Sequence, residues 1–231
     1  MASLLENLMK KSEKDLFSGG SSASTPTTAA TLNGQPSAVP PRVSIPPEPS
    51  DELRLKLFRL IIERYREDIE EHENKSVSDL KGMILPHDPT IIKTRDSLLE
   101  SFRPYIYEEH FLAAAKMCCE YVSSFATLSP PVAFWLTFSD MQSIMAGDEI
   151  DKSILLCSLL RSLGSADARI FVTNTKNSYV LCSFGGKFHL SAHSGAEPAV
   201  CESEQEALLR MSGKPLYSFN DRDYSALSDE E

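Results

Sequence analysis

The stretch from Asp148 to Leu163 constrains this chain more than any other. Ile150, Ile154, Leu155, Leu156, Leu159, Leu160 and Leu163 fall on most sides of a helix wheel. A helix that is apolar nearly all round has no face to give to solvent, so it belongs at the centre of a domain. Gly147 precedes it and Gly164 follows it as the expected C-cap. Whatever the fold, the other elements must wrap this helix.

Material to wrap it lies on both sides. Upstream, Leu53, Leu57, Leu60, Ile61, Tyr65 and Ile69 line one face of an expected helix from Asp51 to about Glu73. Arg54, Lys56, Arg59, Glu63, Arg66 and Glu67 give it a solvated face. After the turn-rich Leu85-Pro86-His87-Asp88-Pro89, two more helices are expected, at about Ile91–Ser101 and Glu108–Phe125, parted at Pro104. Pro130-Pro131 stops the second. A short helix is expected over Ser139–Ala146, with Ser139 as N-cap and Gly147 as its end.

Downstream, Ala168–Thr173, Ser178–Phe184 and Lys187–Ala192 read as strands, with Gly185-Gly186 as a hairpin turn. One short helix, Glu202–Met211, follows. Helices first and then an antiparallel sheet give an α+β fold, with the central helix packed on the sheet.

The domain is expected over 51–226. Residues 1–50 are different material. Half of the chain's 14 prolines fall between Pro26 and Pro49, among Ser, Thr, Ala and Gly. Such a segment buries too little apolar surface to offset its ordering entropy, so 18–50 reads as a disordered tether. Leu4, Leu5, Leu8 and Met9 have helical spacing, so 3–17 reads either as a frayed terminus or as a short amphipathic helix that docks a partner. Residues 227–231 form an acidic tail.

The net charge is -10 and the pI is near 5.0. No Lys/Arg cluster is present to neutralise phosphates, so nucleic acid is not an expected partner. The same charge opposes docking on anionic lipid. No run approaches the roughly 18 apolar residues of a membrane span, and the start lacks a signal peptide's unbroken apolar core. The cytoplasm is the expected location. Five cysteines, an odd number without framework spacing, are expected as reduced thiols.

Gly147-Asp148-Glu149-Ile150-Asp151, followed by the Leu-Leu pairs and Arg161-Ser162-Leu163-Gly164, resembles the central helix of transglutaminase-like, papain-like cysteine hydrolases. That family reads Gly-Asp-Cys, then Asp two residues on, then Leu-Leu-Arg-x-Leu-Gly. Trp135-Leu136-Thr137 upstream, Ala168-Arg169, and Tyr179, Gly186, Lys187 and Phe188 downstream extend the resemblance over about 110–195. It implies a thiol at the helix N-terminus, where the dipole and free amides favour the thiolate, a His on the neighbouring strand and an Asp on the next. Here those positions fall on Glu149, Asn177 and Ala192; a slip of one residue moves the latter two to Ser178 and Ser191. The resemblance therefore implies a degenerate triad and no catalysis.

Glu149 itself is best read as a favourable first-turn residue; the dipole holds it charged, a poor proton donor. Asp151 reads the same way. Cys157, Cys118 and Cys119 read as core thiols. Cys182 and His189 are set opposite each other by the Gly185-Gly186 turn, on the sheet face away from Asn177 and Ala192. They are the weak candidates for a nucleophile pair or half a zinc site, with ordinary packing as the simpler reading. His193 and Cys201 fit no standard zinc knuckle. His72, His87 and His110 are isolated, and no cofactor motif is present.

Three functions remain open: a catalytically inactive module that binds a protein or peptide partner, an active thiol protease or transglutaminase with a displaced nucleophile, and a zinc-stabilised structural protein. The tether reading predicts that limited proteolysis cuts first within 18–50 and leaves a stable core. Mass spectrometry of the early fragments checks this, and protection of that segment would contradict it.

Overall fold

A computed structural model of the chain describes residues 51–130, 132, 134–192 and 198–227. The tether, the 3–17 helix, His193 and residues 228–231 of the acidic tail lie outside the described residues. Helices α1 (Asp51–Arg64), α2 (Arg66–Glu73), α3 (Val77–Gly82), α4 (Pro89–Leu98) and α5 (Tyr107–Ser123) come first. Strand β1 (Ala126–Thr127), helix α6 (Phe138–Ile144), strand β2 (Ala146–Gly147) and helix α7 (Glu149–Ser162) follow. Then come β3 (Arg169–Thr173), β4 (Ser178–Phe184), β5 (Lys187–Ala192), β6 (Ala199–Cys201), α8 (Glu204–Arg210), β7 (Pro215–Phe219) and β8 (Tyr224–Ala226).

The architecture is α+β. The larger sheet has six antiparallel strands in the order β6-β5-β4-β3-β7-β8. Alternation along its strands gives it two apolar faces. Ile170, Val180, Cys182 and Phe219 join the main core with α4, α5 and α7. Phe171, Leu181, Leu190 and Cys201 face the other way, against Ala207 and Met211 of the α8 region.

Helix α7 is the buried centre. Leu155, Cys157, Ser158 and Leu159 have no exposed surface. Its start is a reciprocal capping box: Asp151 N–H donates to Asp148 Oδ1 at 2.8 Å, and Asp148 N–H donates to Asp151 Oδ2 at 3.4 Å. Leu163 is the C-cap, one residue before the expected position. Gly164 follows at φ 107°, and a Cβ there would lie 3.2 Å from the Tyr107 ring.

The structure corrects several expectations. The Asp51–Glu73 helix breaks at Tyr65, and its apolar residues line no core: Leu57 is 55% exposed and Phe58 58%. Among the described residues, none of its apolar side chains belongs to either core cluster. Helix α6 is capped by Thr137, not Ser139, because Thr137 and Asp140 form a capping box of their own. It ends at Met145, in the left-handed region at φ 51°, before Gly147. Ala146 and Gly147 are thereby freed to pair in parallel with Ala126 and Thr127. Helix α3, capped by Ser76, and the short strands β6 to β8 were not foreseen.

Trp135 fastens α2 to the body. Its indole N–H donates to the Glu73 carbonyl at 2.9 Å, and its backbone N–H donates to the Glu73 carboxylate at 3.2 Å. The burial of α7 predicts that Leu159→Ala costs about 2–5 kcal/mol of stability, from lost transfer energy plus the cavity. Leu209→Ala, at an 81% exposed position, should stay within about 0.5 kcal/mol of wild type. Urea unfolding of both variants checks the contrast.

Candidate functional site

Glu149 is the first residue of α7, where the resemblance places a nucleophile. What approaches this end of the helix from the sheet is Ser178. Its hydroxyl donates to the Glu149 carbonyl at 2.9 Å and shares a 2.8 Å hydrogen bond with Ser153 Oγ. Ser153 and Ser178 are both 1% exposed. The space between helix and strand is thus closed by a satisfied hydroxyl pair.

Asn177 and Ala192 lie on the sheet side of the structure. Asn177 sits in the turn before β4, where its carbonyl accepts from Thr173 N–H at 3.0 Å. Ala192 pairs with Tyr179, and Tyr179 packs with the α8-side core. The slipped positions Ser178 and Ser191 are the ones on the face toward α7. The physical reason is parity: side chains alternate along a strand, so a shift of one residue changes the face. Ala192 therefore takes the α8-side face, and Ser178 and Ser191 take the face toward α7.

Cys182 does pair with His189, as the glycine turn requires; Gly185 and Gly186 have φ 60° and 76°. The two border a cavity of about 230 Å³ with Phe111, Leu112, Lys116, Cys119, Leu160 and Ser191 among its lining. Cys119 Sγ lies 3.5 Å from Ser191 Oγ. The cavity touches α7 at Leu160, about 16 Å along the helix from Glu149 at 1.5 Å per residue. The positive end of the helix dipole does not reach a thiol there, since its effect fades within the first turn.

The protonation states agree with that distance. Burial pushes the Cys182 thiol up to about 12 and raises Cys118, Cys119 and Cys157 as well. Burial also lowers His189, which favours the neutral imidazole. A neutral His beside a protonated thiol is not an activated ion pair. Among the described residues, no group of three or more His, Cys, Asp or Glu side chains is placed to hold a metal ion. No described helix is long and apolar enough to cross a membrane.

Asp151, expected as a charged first-turn residue like Glu149, is buried instead, and the burial of Lys152 was not expected. Asp151, 3% exposed, is raised to about 7, first by burial and then by the neighbouring Asp148 carboxylate. Lys152, 2% exposed, is lowered by burial; its ammonium donates to the Phe125 carbonyl at 2.9 Å and to Thr127 Oγ1 at 3.2 Å. Charged residues on a wheel with no solvent face were the available signal.

No family model matches the sequence, and no curated protein does. Among solved structures, the chain is similar to Legionella pneumophila LapG in its calcium-bound form. The identity is 17% and the TM-score 0.36, over 58% of this chain and 87% of that chain.

Asp151 generates a pH prediction. Its folded value, about 7, stands above the ordinary 3.8, so between these the folded state holds a proton that the unfolded state has released. Stability from this group is therefore lost as pH rises from about 4 to about 7. Relative to Asp151→Asn, wild type should lose unfolding free energy across that range. Urea titrations of both at several pH values check this, and a constant difference would contradict it.

Proposed function

We propose that this chain is a non-catalytic transglutaminase-like domain that serves as a protein- or peptide-binding module. The observation that carries the reading is the end of α7 itself. A carboxylate, Glu149, occupies the first helical position, and buried serine hydroxyls fill the approach from the sheet. Nucleophilic catalysis needs a thiolate beside a base able to take its proton. Cys118, Cys119, Cys157 and Cys182 are held as thiols, and the Cys182–His189 pair stands far from the helix end.

The binding half of the proposal rests on surface. The cavity beside Cys182 opens next to Leu112, which is 45% exposed, and Lys116 on α5. An apolar hollow flanked by a cation suits the side chain of an extended segment.

The test combines chemistry and binding. Iodoacetamide near pH 6 should alkylate the native protein slowly at every thiol, and generic peptide and glutamine substrates should show no turnover. Glu149→Cys should react faster than any native thiol, because it places sulfur at a helix N-terminus. A photo-crosslinker at Leu112 should capture a peptide ligand, and Cys182→Trp, which fills the cavity, should abolish capture. Turnover that disappears in Cys182→Ala would replace this reading with a displaced-nucleophile enzyme.

A further inference from the structure

We propose that a polar hollow at the β7–β8 end of the larger sheet binds a neutral polyhydroxyl compound, of the class of a single sugar unit. The proposal is independent of the α7 terminus and of the cavity beside Cys182. The hollow measures about 220 Å³ and is bordered by Asp167, Arg169, Ser218, Asn220, Asp223 and Ser225 among others. That is below the roughly 300–1,000 Å³ of drug-sized pockets, so the space suits one small unit. Strand register assembles the site. Ser218 pairs with Phe171 of β3 on one side and with Ser225 of β8 on the other. Paired residues share a face, and Phe171 belongs to the α8-side core.

Two of the bordering residues are buried with hydrogen-bonding capacity unused. Ser218 is 2% exposed, and its hydroxyl has no partner among the described residues. Asn220 is 5% exposed. Its Oδ1 accepts from Arg222 N–H at 2.8 Å and from Asp223 N–H at 2.7 Å. Those two bonds fix the amide and leave both Nδ2 donors without an acceptor among the described residues. Buried polar groups are nearly always answered, so these donors point to an acceptor supplied from outside the chain.

The donor and acceptor set chooses the ligand. Asp167 accepts from Ser183 N–H at 2.8 Å and from Ser165 Oγ at 3.1 Å, which leaves lone pairs on its carboxylate. The Asp223 carboxylate has no hydrogen bond or ion pair among the described residues. The Arg169 charge is already answered by Glu204 at 2.8 Å, and its guanidinium lies over the Phe171 ring. An anion entering the hollow would meet two carboxylates. A bare ammonium would turn N–H groups toward the N–H groups of Asn220. A hydroxyl group fits both, since it donates to a carboxylate while accepting from an amide. Several adjacent hydroxyls on one small ring match this mixture of carboxylates, amide and serine hydroxyls.

NMR titration of the full chain tests the proposal, with D-glucose, D-galactose, D-mannose and N-acetyl-D-glucosamine as probes and inorganic phosphate and ethylamine as charged controls. At least one sugar should give saturable shifts centred on Ser218, Asn220 and Asp223, with a Kd of about 1 mM or tighter. Ser218→Ala should weaken that binding roughly tenfold. Ala166→Trp, at an exposed position on the rim, should fill the hollow and abolish it; Ser218→Ala remains the conservative test where the tryptophan disturbs the fold. No saturable shift from any of the four sugars would overturn the proposal. So would binding indifferent to either substitution in a folded variant, or phosphate or ethylamine binding at these residues in place of a sugar.

Discussion

The main core of this domain is arranged around a helix, α7, that is buried from Asp151 to Arg161. An apolar shell alone would leave its orientation loose, and the polar residues within the helix remove that freedom. A buried polar group without a partner costs about as much as a hydrogen bond or more, so each of these fixes a neighbour. Ser158 Oγ accepts from Leu85 N–H at 3.2 Å and positions the turn before α4. Lys152 gathers the chain after α5. Arg161, 9% exposed, pairs with Asp221 at 2.6 Å and donates to the Ser165 and Ala166 carbonyls. One helix thereby registers the start, middle and end of the domain.

The same burial decides what the thiols can be. Proximity to a histidine does not by itself make a thiolate. Both members of the Cys182–His189 pair are buried enough to prefer their neutral forms. Exposure to a helix terminus would favour the opposite, and in this chain that place belongs to a carboxylate.

The sequence made the centre of the fold readable because α7 is apolar on nearly every side, a pattern few other arrangements satisfy. The hairpin was readable because two adjacent glycines with positive φ leave little choice of turn, and Cys182 opposite His189 followed. The candidate site was less readable. Glu149 could be placed from the Gly-Asp-x-x-Asp pattern of the resemblance, but Asn177 and Ala192 could not be assigned a face without knowing the strand's parity relative to α7. The exposure of Leu57 and Phe58 was also hidden, since helical periodicity says which residues share a face and not what covers it. Strands β6 and β8, of three residues each, are too short to show alternation, and β7 opens with Pro215, which speaks against a strand except at its first position.

Trp135 is the chain's one tryptophan, and it stands at the joint between α2 and the rest of the domain, half-buried and hydrogen-bonded through its indole to the Glu73 carbonyl. Indole emission depends on hydration and on that hydrogen bond. The molecule therefore carries a built-in optical gauge for a single location: its fluorescence reads the attachment of the helical arm directly, with no label and no background from a second fluorophore of its kind.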